Sequence, residues 1–370
     1  MENQLLNEKR KSFGLYEAAL ATILFIVFNM GFMFLFRAIP SSIRQSGSVV
    51  YYIASFVIEA LFGVVAYVVA ISRKVDFVKG IGANKKVNGN IIFYSVLISF
   101  VCLIFFGNLT NVFIAFLEIC GYSSILGSLE IPNFGIYLVY VLTACIAPAI
   151  CEEFLFRGVI ASGLKEKGFK VALLASAVIF TLMHGNPEQT VHQFIIGYAI
   201  GYAFLKTGNI WIGVIVHFVN NFTAVTMTYV SSFSAGEEVA AEVAAAEPVT
   251  ASSFIVSVII AAVMAFIGYV LVKRLIDRII FEHNRINNVS NENATIKVDN
   301  AEVNVEMMVD EMLVEMDEKT ETEKVESVDG ESQGKEKEKV PMSVTLMFVI
   351  SGAYFLIEWL TSLLTGLGMF

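Results

Sequence analysis

Three short motifs combine acidic, basic, imidazole and amide side chains within apolar surroundings. They are CEEFLFRGVI (151–160), FTLMH (180–184) and HFVNN (217–221). A carboxylate can take a proton from water, and imidazole or amide groups can donate hydrogen bonds to an oxyanion. These are the residue types that hydrolysis of an amide bond requires.

The spacing within each motif is helical. Glu153 and Arg157 are four residues apart, so on a helix they share a face and can form an ion pair. Glu152 points about 100° away from Glu153 and is free to face another helix. The pairs Phe180–His184 and His217–Asn221 have the same four-residue spacing. Pro148, one turn before Glu152, can kink its helix and leave backbone carbonyls without donors.

The candidate roles follow from these residue types. Glu152 would act as general base, and His184 would help to hold the water that it activates. His217 and Asn221 would donate hydrogen bonds to the oxyanion, each donor commonly contributing about 3–4 kcal/mol. On spacing alone, a proton or ion pathway and structural polar packing remain open beside hydrolysis.

A metal site is a further alternative for the same residues. Glu152, His184 and His217 could bind a zinc ion, which would lower the pKa of its bound water. The short-spacing zinc signature H-E-x-x-H does not occur in this sequence. Zinc and no cofactor are therefore both retained as expectations.

The composition places these motifs in a membrane. The chain has 370 residues, 56% hydrophobic and only 16% charged, whereas soluble domains average about 25% charged residues. The mean hydropathy is +0.70. Apolar runs of about 20 residues predict membrane-spanning helices. We expect an all-α, polytopic membrane helical bundle with eight or nine spans, at 16–36, 49–71, 91–117, 134–164, 171–185, 192–205, 210–229, 254–272 and 344–367.

The predicted spans bring the motifs to comparable depths. From Leu164, at the cytoplasmic end of its span, Glu152 would lie about 18 Å deep. His184 would lie about 20 Å from Val171 and His217 about 10 Å from Ile210. Convergence of the three side chains on adjacent helices is therefore expected.

The distribution of positive charge predicts the orientation. Lys and Arg cluster at the N-terminus and in the segments 72–90, 165–170 and 273–278, whereas 118–133 and 231–252 contain none. Basic loops are typically cytoplasmic. We expect a multi-pass protein of the cell membrane with its N-terminus and the 281–341 segment in the cytoplasm.

The segment between Phe281 and Val340 is strongly acidic. It holds 17 Asp or Glu and 7 Lys or Arg, a net charge of −10, while the whole chain carries −9. Such a composition is typical of disordered chain. A solvated cytoplasmic linker is the simpler interpretation, and a partner-binding segment is the alternative.

Several other polar residues receive no role from the sequence. Glu59 and Glu358 lie alone in apolar spans, and each can pair structurally or take part in chemistry. His192 and His283 are expected at a membrane boundary and in the polar segment. The four cysteines are expected to be free buried thiols, and Cys151 is not favoured as a nucleophile.

The three motifs together resemble the CPBP family of intramembrane proteases, which includes the type II CAAX prenyl endopeptidases and the bacterial Abi-type proteins. Glu152-Glu153-Phe-Leu-Phe-Arg157 matches E-E-x-x-x-R, and F-x-x-x-H and H-x-x-x-N follow in order on later helices. The resemblance implies a catalytic Glu152, a bracing pair of Glu153 with Arg157, and His184, His217 and Asn221 completing the water and oxyanion sites. Phe180 would belong to the supporting shell.

The expected organisation follows. Residues 1–133 would form three spans, 134–230 the four-helix catalytic core, 231–280 an extra span with its extracytoplasmic loop, 281–341 the acidic loop and 342–370 the last span. The expected function is an intramembrane endopeptidase acting on a membrane-associated or lipidated protein or peptide. No nucleic-acid partner is expected, and the oligomeric state is not predicted. A non-catalytic immunity or sequestration protein and an ion-coupled transporter are the alternatives.

Overall fold

The computed structural model describes residues 12–45, 47–124, 131–234, 250–296 and 340–369. All regular elements in these ranges are helices, as the sequence predicts. In chain order the α-helices are α1 (Leu15–Ala38), α2 (Val49–Ser72), the single turn α3 (Phe77–Gly80), α4 (Gly89–Ile119), α5 (Phe134–Lys167), α6 (Phe169–Met183), α7 (Thr190–Thr207), α8 (Ile210–Ser234), α9 (Ala251–Ile296) and α10 (Met342–Gly366).

Seven of these helices are long and apolar enough to cross a membrane, against the eight or nine predicted. They are α1, α2, α4, α5, α8, α9 and α10. Helix α6 has 15 residues, which span only about 22 Å. Helix α7 begins with Thr190, His192 and Gln193 and ends at Lys206-Thr207, so its ends are polar. The protein is thus a multi-pass, all-α membrane protein whose core includes two shorter helices.

Polar side chains fix where several spans begin. Ser48 accepts a hydrogen bond from the Tyr51 amide at the start of α2. Asn88 and Asn133 do the same for α4 and α5. These caps satisfy amide groups that would otherwise lack partners at a helix start.

Helix α5 is not a uniform α-helix. Two π-helical stretches, Val141–Ile146 and Phe154–Ala161, flank the α-helical segment Ala147–Glu153. Pro148 lies in the first turn of that segment. It has no N–H, so the carbonyl of Ala144 loses its ordinary helical donor. Such π insertions are common at functional sites, and here they surround the two adjacent glutamates.

Helix α9 corrects the predicted start of the acidic linker. The helix continues through Ile296, so the first 16 residues of the predicted linker, 281–296, are helical. Glu282 is held there by Asn88 and Arg285, at 3.0 and 2.7 Å. His283, expected in solvent, is 5% exposed. Residues 297–339, the rest of the predicted linker, lie outside the described residues.

The chain divides into two compact units. The first comprises residues 1–286 and 342–370, and every contact discussed below lies within it. The second comprises residues 287–341, of which the structure describes the end of α9 and residues 340–341.

A buried ion pair on α5 contacts three other core helices. Arg157 Nη1 on α5 donates to Glu153 Oε1 at 2.7 Å, and both side chains are almost fully buried. His217 Nδ1 on α8 contacts the same oxygen at 3.0 Å. Arg157 Nη2 donates to the Gly197 carbonyl of α7 at 3.3 Å, and its guanidinium stacks 4.3 Å over the Phe180 ring of α6. The pair predicted from spacing is therefore present and is central to the packing.

The loop before α4 clamps the turn between α7 and α8. Asn209 Nδ2 donates to the Lys86 carbonyl at 2.9 Å, and Trp211 Nε1 donates to the Ala83 carbonyl at 3.0 Å. Gly82 has a φ of +76°, and a Cβ atom there would overlap the Gly208 carbonyl oxygen. The closeness of the two turns therefore requires glycine at this position.

Gly82→Ala is expected to destabilise the protein by about 2–4 kcal/mol, because it combines a left-handed backbone with a steric overlap. Thermal unfolding of detergent-solubilised protein measures the change. Gly89→Ala is the control, since a Cβ atom there meets nothing within 4 Å. Equal unfolding temperatures for Gly82→Ala and wild type would contradict the clamp.

Arg157→Ala is expected to cost about 3–5 kcal/mol, because it leaves Glu153 buried without its cation. The control is Arg285→Ala, which removes the cation of an i,i+3 pair whose Arg285 side chain is 56% exposed and should cost less than about 1 kcal/mol. The same unfolding measurement applies. A similar loss of stability in both variants would show that the cost of losing Arg157 does not come from the burial of its pair with Glu153.

Candidate active site

The four residues predicted to be catalytic line one cavity. It has a volume of about 900 Å³, and its walls come from α1, α2, α4, α5, α6, α7, α8 and α10. Glu152, His184, His217 and Asn221 all contribute to the lining. The convergence expected from their depths is therefore observed. Glu153, Arg157 and Phe180 do not line the cavity and lie behind it, in the ion-pair cluster described above.

Glu152 is the buried carboxylate of the cavity wall. Its residue exposure is 4%, and no side chain or backbone group in the described ranges donates a hydrogen bond to its Oε2. The i,i+4 pairing of Arg157 with Glu153 leaves Glu152 facing a different direction. A carboxylate oxygen that is buried without a donor is poorly stabilised when charged, which favours its acceptance of a proton.

His217 is oriented by Glu153 rather than by Glu152. Its Nδ1 donates to Glu153 Oε1 at 3.0 Å, because Glu153 is the ionised partner of Arg157. In the neutral ring, Nε2 is then an acceptor. His217 can therefore donate to an oxyanion from Nε2 only as an imidazolium. The sequence did not reveal this condition.

His184 lies at the end of α6, where its own backbone is the C-cap of the helix. Its Nδ1 donates to the Phe180 carbonyl at 2.8 Å. This contact leaves Nε2 as the acceptor of the neutral ring. The Phe180 ring packs against both histidines, with centroid distances of 4.9 Å to His184 and 5.9 Å to His217.

Asn221 is held by the interrupted part of α5. Its Nδ2 donates to the Ala144 carbonyl at 3.0 Å, the carbonyl that Pro148 leaves without a helical donor. Its Oδ1 accepts from Asn220 Nδ2 at 3.2 Å. These two contacts fix which end of the amide is the donor, and the second Nδ2 hydrogen can serve a ligand.

Several cavity residues were missed or misplaced by sequence reasoning. His192, expected at a membrane boundary, lines the cavity and donates from Nε2 to Asn220 Oδ1 at 3.0 Å. Glu59, Glu188 and Glu358 also line it. Glu59 and Glu358 were visible as acids in apolar spans, but His192 and Glu188 carried no signal beyond their residue types.

The three residues expected to bind zinc are not clustered as metal ligands in this structure. Within the described ranges, no group of three or more His, Cys, Asp or Glu side chains is arranged so that it could hold a metal ion. Glu152, His184 and His217 therefore do not form such a group. The Nδ1 atoms of both histidines donate, one to Phe180 and one to Glu153, and each neutral ring keeps Nε2 as its acceptor.

Comparison with known proteins identifies the segment that carries this cavity. Residues 134–223 match the family model described as "Type II CAAX prenyl endopeptidase Rce1-like". A Bacillus subtilis protein named "Putative membrane peptidase YdiL" is 30% identical over 91 residues, which cover 24% of this chain and 37% of that protein. The chain thus spans little more than a third of the length of this relative. No solved structure matches the chain.

The matched segment contains all three motifs and α5, α6, α7 and most of α8. The resemblance inferred from E-E-x-x-x-R, F-x-x-x-H and H-x-x-x-N is therefore confirmed independently of the spacing argument. Residues 134–223 are thus similar to the family described as type II CAAX prenyl endopeptidase Rce1-like.

Proposed function

We propose that this chain is an intramembrane endopeptidase that hydrolyses a peptide bond of a membrane-associated protein or peptide. The observation that carries the proposal is the convergence of Glu152, His184, His217 and Asn221 on one cavity inside the Rce1-like segment. The names of the matching family and of the Bacillus subtilis relative both describe peptidases.

Glu152 is the general base. It takes one proton from a water molecule as the water oxygen bonds to the substrate carbonyl carbon and the carbonyl electron pair moves to oxygen. The same proton then passes from Glu152 to the amide nitrogen as the C–N bond breaks. His184 accepts the second hydrogen bond of the water through Nε2 and so orients it.

Asn221 and His217 stabilise the oxyanion. The second Nδ2 hydrogen of Asn221 is one donor, and Nε2 of a protonated His217 is the other. Glu153 Oε1 accepts from Nδ1 on the opposite side of the ring and so fixes the direction in which Nε2 points. Removing one oxyanion donor commonly costs about 10²–10³ in kcat.

The substrate reaches the site within the bilayer or at its surface. The walls combine polar groups with Phe25, Phe62 and Phe355, which suits an apolar or lipidated chain better than a nucleic acid. The positively charged loops favour an orientation with the N-terminus in the cytoplasm, and we propose the cell membrane as the location.

Glu152→Gln is expected to lower kcat/KM about 10²–10⁴-fold, because the amide cannot accept the proton of the attacking water. Purified protein in liposomes would be assayed against a library of quenched fluorescent peptides that includes farnesylated and unmodified CAAX sequences. Glu118→Gln is the matched control, since Glu118 is exposed at the end of α4.

Each outcome of this assay has a distinct meaning. Cleavage by wild type that is lost in Glu152→Gln and unaffected by 1,10-phenanthroline supports the glutamate mechanism. Loss of wild-type cleavage on chelation would favour zinc instead. Equal signals from wild type and Glu152→Gln, where a known family member cleaves the library, would favour a non-catalytic immunity or sequestration protein.

Asn221→Ala is expected to lower kcat by about 10²–10³ with little change in KM, because its donor acts on the oxyanion rather than on the bound substrate. Steady-state kinetics with the best peptide of the library measure both constants. Asn221→Asp tests the donor specifically, since the carboxylate keeps the size of the side chain but cannot donate. If Asn221→Asp had the wild-type kcat, Asn221 would not be a hydrogen-bond donor to the oxyanion.

A further inference from the structure

A carboxylate outside the Rce1-like segment faces the proposed base. Glu59 lies on α2, 75 residues before the matched segment begins at 134, and it lines the same cavity as Glu152. The Glu59 and Glu152 carboxyl groups are within hydrogen-bonding reach of each other. The motifs that identify the site do not include Glu59.

The packing of α2 against α5 fixes this contact. Tyr52 packs edge-on against Tyr140, with ring centroids 5.5 Å apart, and Phe62 lies 5.8 Å from Phe156. The later residue of α2 contacts the later residue of α5, so the two helices run parallel. Along each helix, Glu59 and Glu152 lie between these two ring contacts.

A glycine brings the two backbones together next to the carboxyl groups. Gly63 is one turn after Glu59, and a Cβ atom on it would lie 3.1 Å from Cys151 Sγ. Cys151 directly precedes Glu152. A larger residue at 63 would therefore push α2 away from the glutamate turn, and the observed closeness holds the two carboxyl groups in contact.

The hydrogen bonds around Glu59 and Glu152 are consistent with one proton between the two carboxyl groups. Glu59 Oε2 and Glu152 Oε2 are both buried, and no donor among the described residues reaches either atom. Arg157, the cation nearest to Glu152, is bonded to Glu153 at 2.7 Å. Two carboxylates cannot bond to each other, but a carboxylic acid can donate to a carboxylate. Like charges this close also disfavour double ionisation.

We propose that Glu59 and Glu152 share one proton and that Glu59 is the positioning residue of the proposed base. In the resting site, the protonated Glu59 carboxyl group donates to the Glu152 carboxylate and holds it against the cavity. Glu59 keeps its proton during hydrolysis, while Glu152 takes and returns the proton of the water. The positioning role rests on the proposed peptidase function, whereas the shared proton does not.

The shared proton is tested by infrared spectroscopy of the full-length protein in liposomes, without any substrate. Wild type should show a carbonyl-stretching band of a protonated carboxylic acid that shifts in D₂O. Glu59→Gln and Glu152→Gln should each remove that band, because each destroys the pair. Glu358→Gln, which changes another acid of the same cavity on α10, should leave it. A band that survives both substitutions in the pair would overturn the proposal.

The positioning role is tested by kinetics with a quenched peptide that wild type cleaves. Glu59→Ala should lower kcat about 10- to 100-fold without raising KM, because a hydrogen bond to a charged group is lost. Glu59→Gln should restore kcat to nearly the wild-type value, since its amide N–H replaces the carboxyl donor. A structural role would give equal defects in both variants, or a raised KM, and would overturn the assignment.

The infrared and kinetic experiments together distinguish failure of this inference from failure of the proposed peptidase function. If wild type cleaves no peptide, the peptidase proposal fails and the infrared result still decides whether the proton is shared. If wild type cleaves normally and Glu59→Ala matches it, only the role of Glu59 is overturned.

Discussion

The buried charge of Glu153 constrains the rest of the core. A carboxylate with no exposed surface is tolerated at membrane depth only when cationic or hydrogen-bonding groups compensate it. Arg157 supplies the charge from the same helix, and His217 supplies a second donor from α8. The close approach is permitted by Gly213, where a Cβ atom would lie 2.7 Å from Glu153 Oε2. The contacts that pack α5 against α8 are therefore the same contacts that compensate the charge of Glu153.

The ion pair of Glu153 with Arg157 also distinguishes the two adjacent glutamates. Glu153 is paired with Arg157 through Oε1 and does not line the cavity, so it has no role as the base. Glu152 points to the cavity, where no donor of the described residues reaches its Oε2. The α-helical turn that carries both lies between two π-helical stretches, so its orientation is set independently of the helix on either side. Two residues of the same type thereby acquire different chemistry from a rotation of about 100°.

The sequence predicted those parts of the site that depend on spacing within one helix. The Glu153–Arg157 pair, the unpaired carbonyl beside Pro148 and the shared cavity of Glu152, His184, His217 and Asn221 all follow from i,i+4 spacing and depth. The contacts between helices did not follow. A span that is apolar on every side gives no signal about which face meets which neighbour, so Glu59 and His192 were not recognised. The end of α9 was misjudged because a polar, charged composition does not by itself tell a helix from a linker.

The chemistry and the shape of the cavity are encoded in different parts of the chain. The matched segment supplies the four proposed catalytic residues, but Glu59 comes from α2 and Glu358 from α10. Helix α10 is fixed to the core by a hydrogen bond of 2.8 Å from Trp359 Nε1 to Thr190 Oγ1 at the start of α7. Substitutions in α1, α2 and α10 can therefore change the walls of the cavity without changing the four proposed catalytic residues themselves. The match to the family model covers residues 134–223, so α1, α2 and α10, which complete the walls of the cavity, lie outside the matched segment.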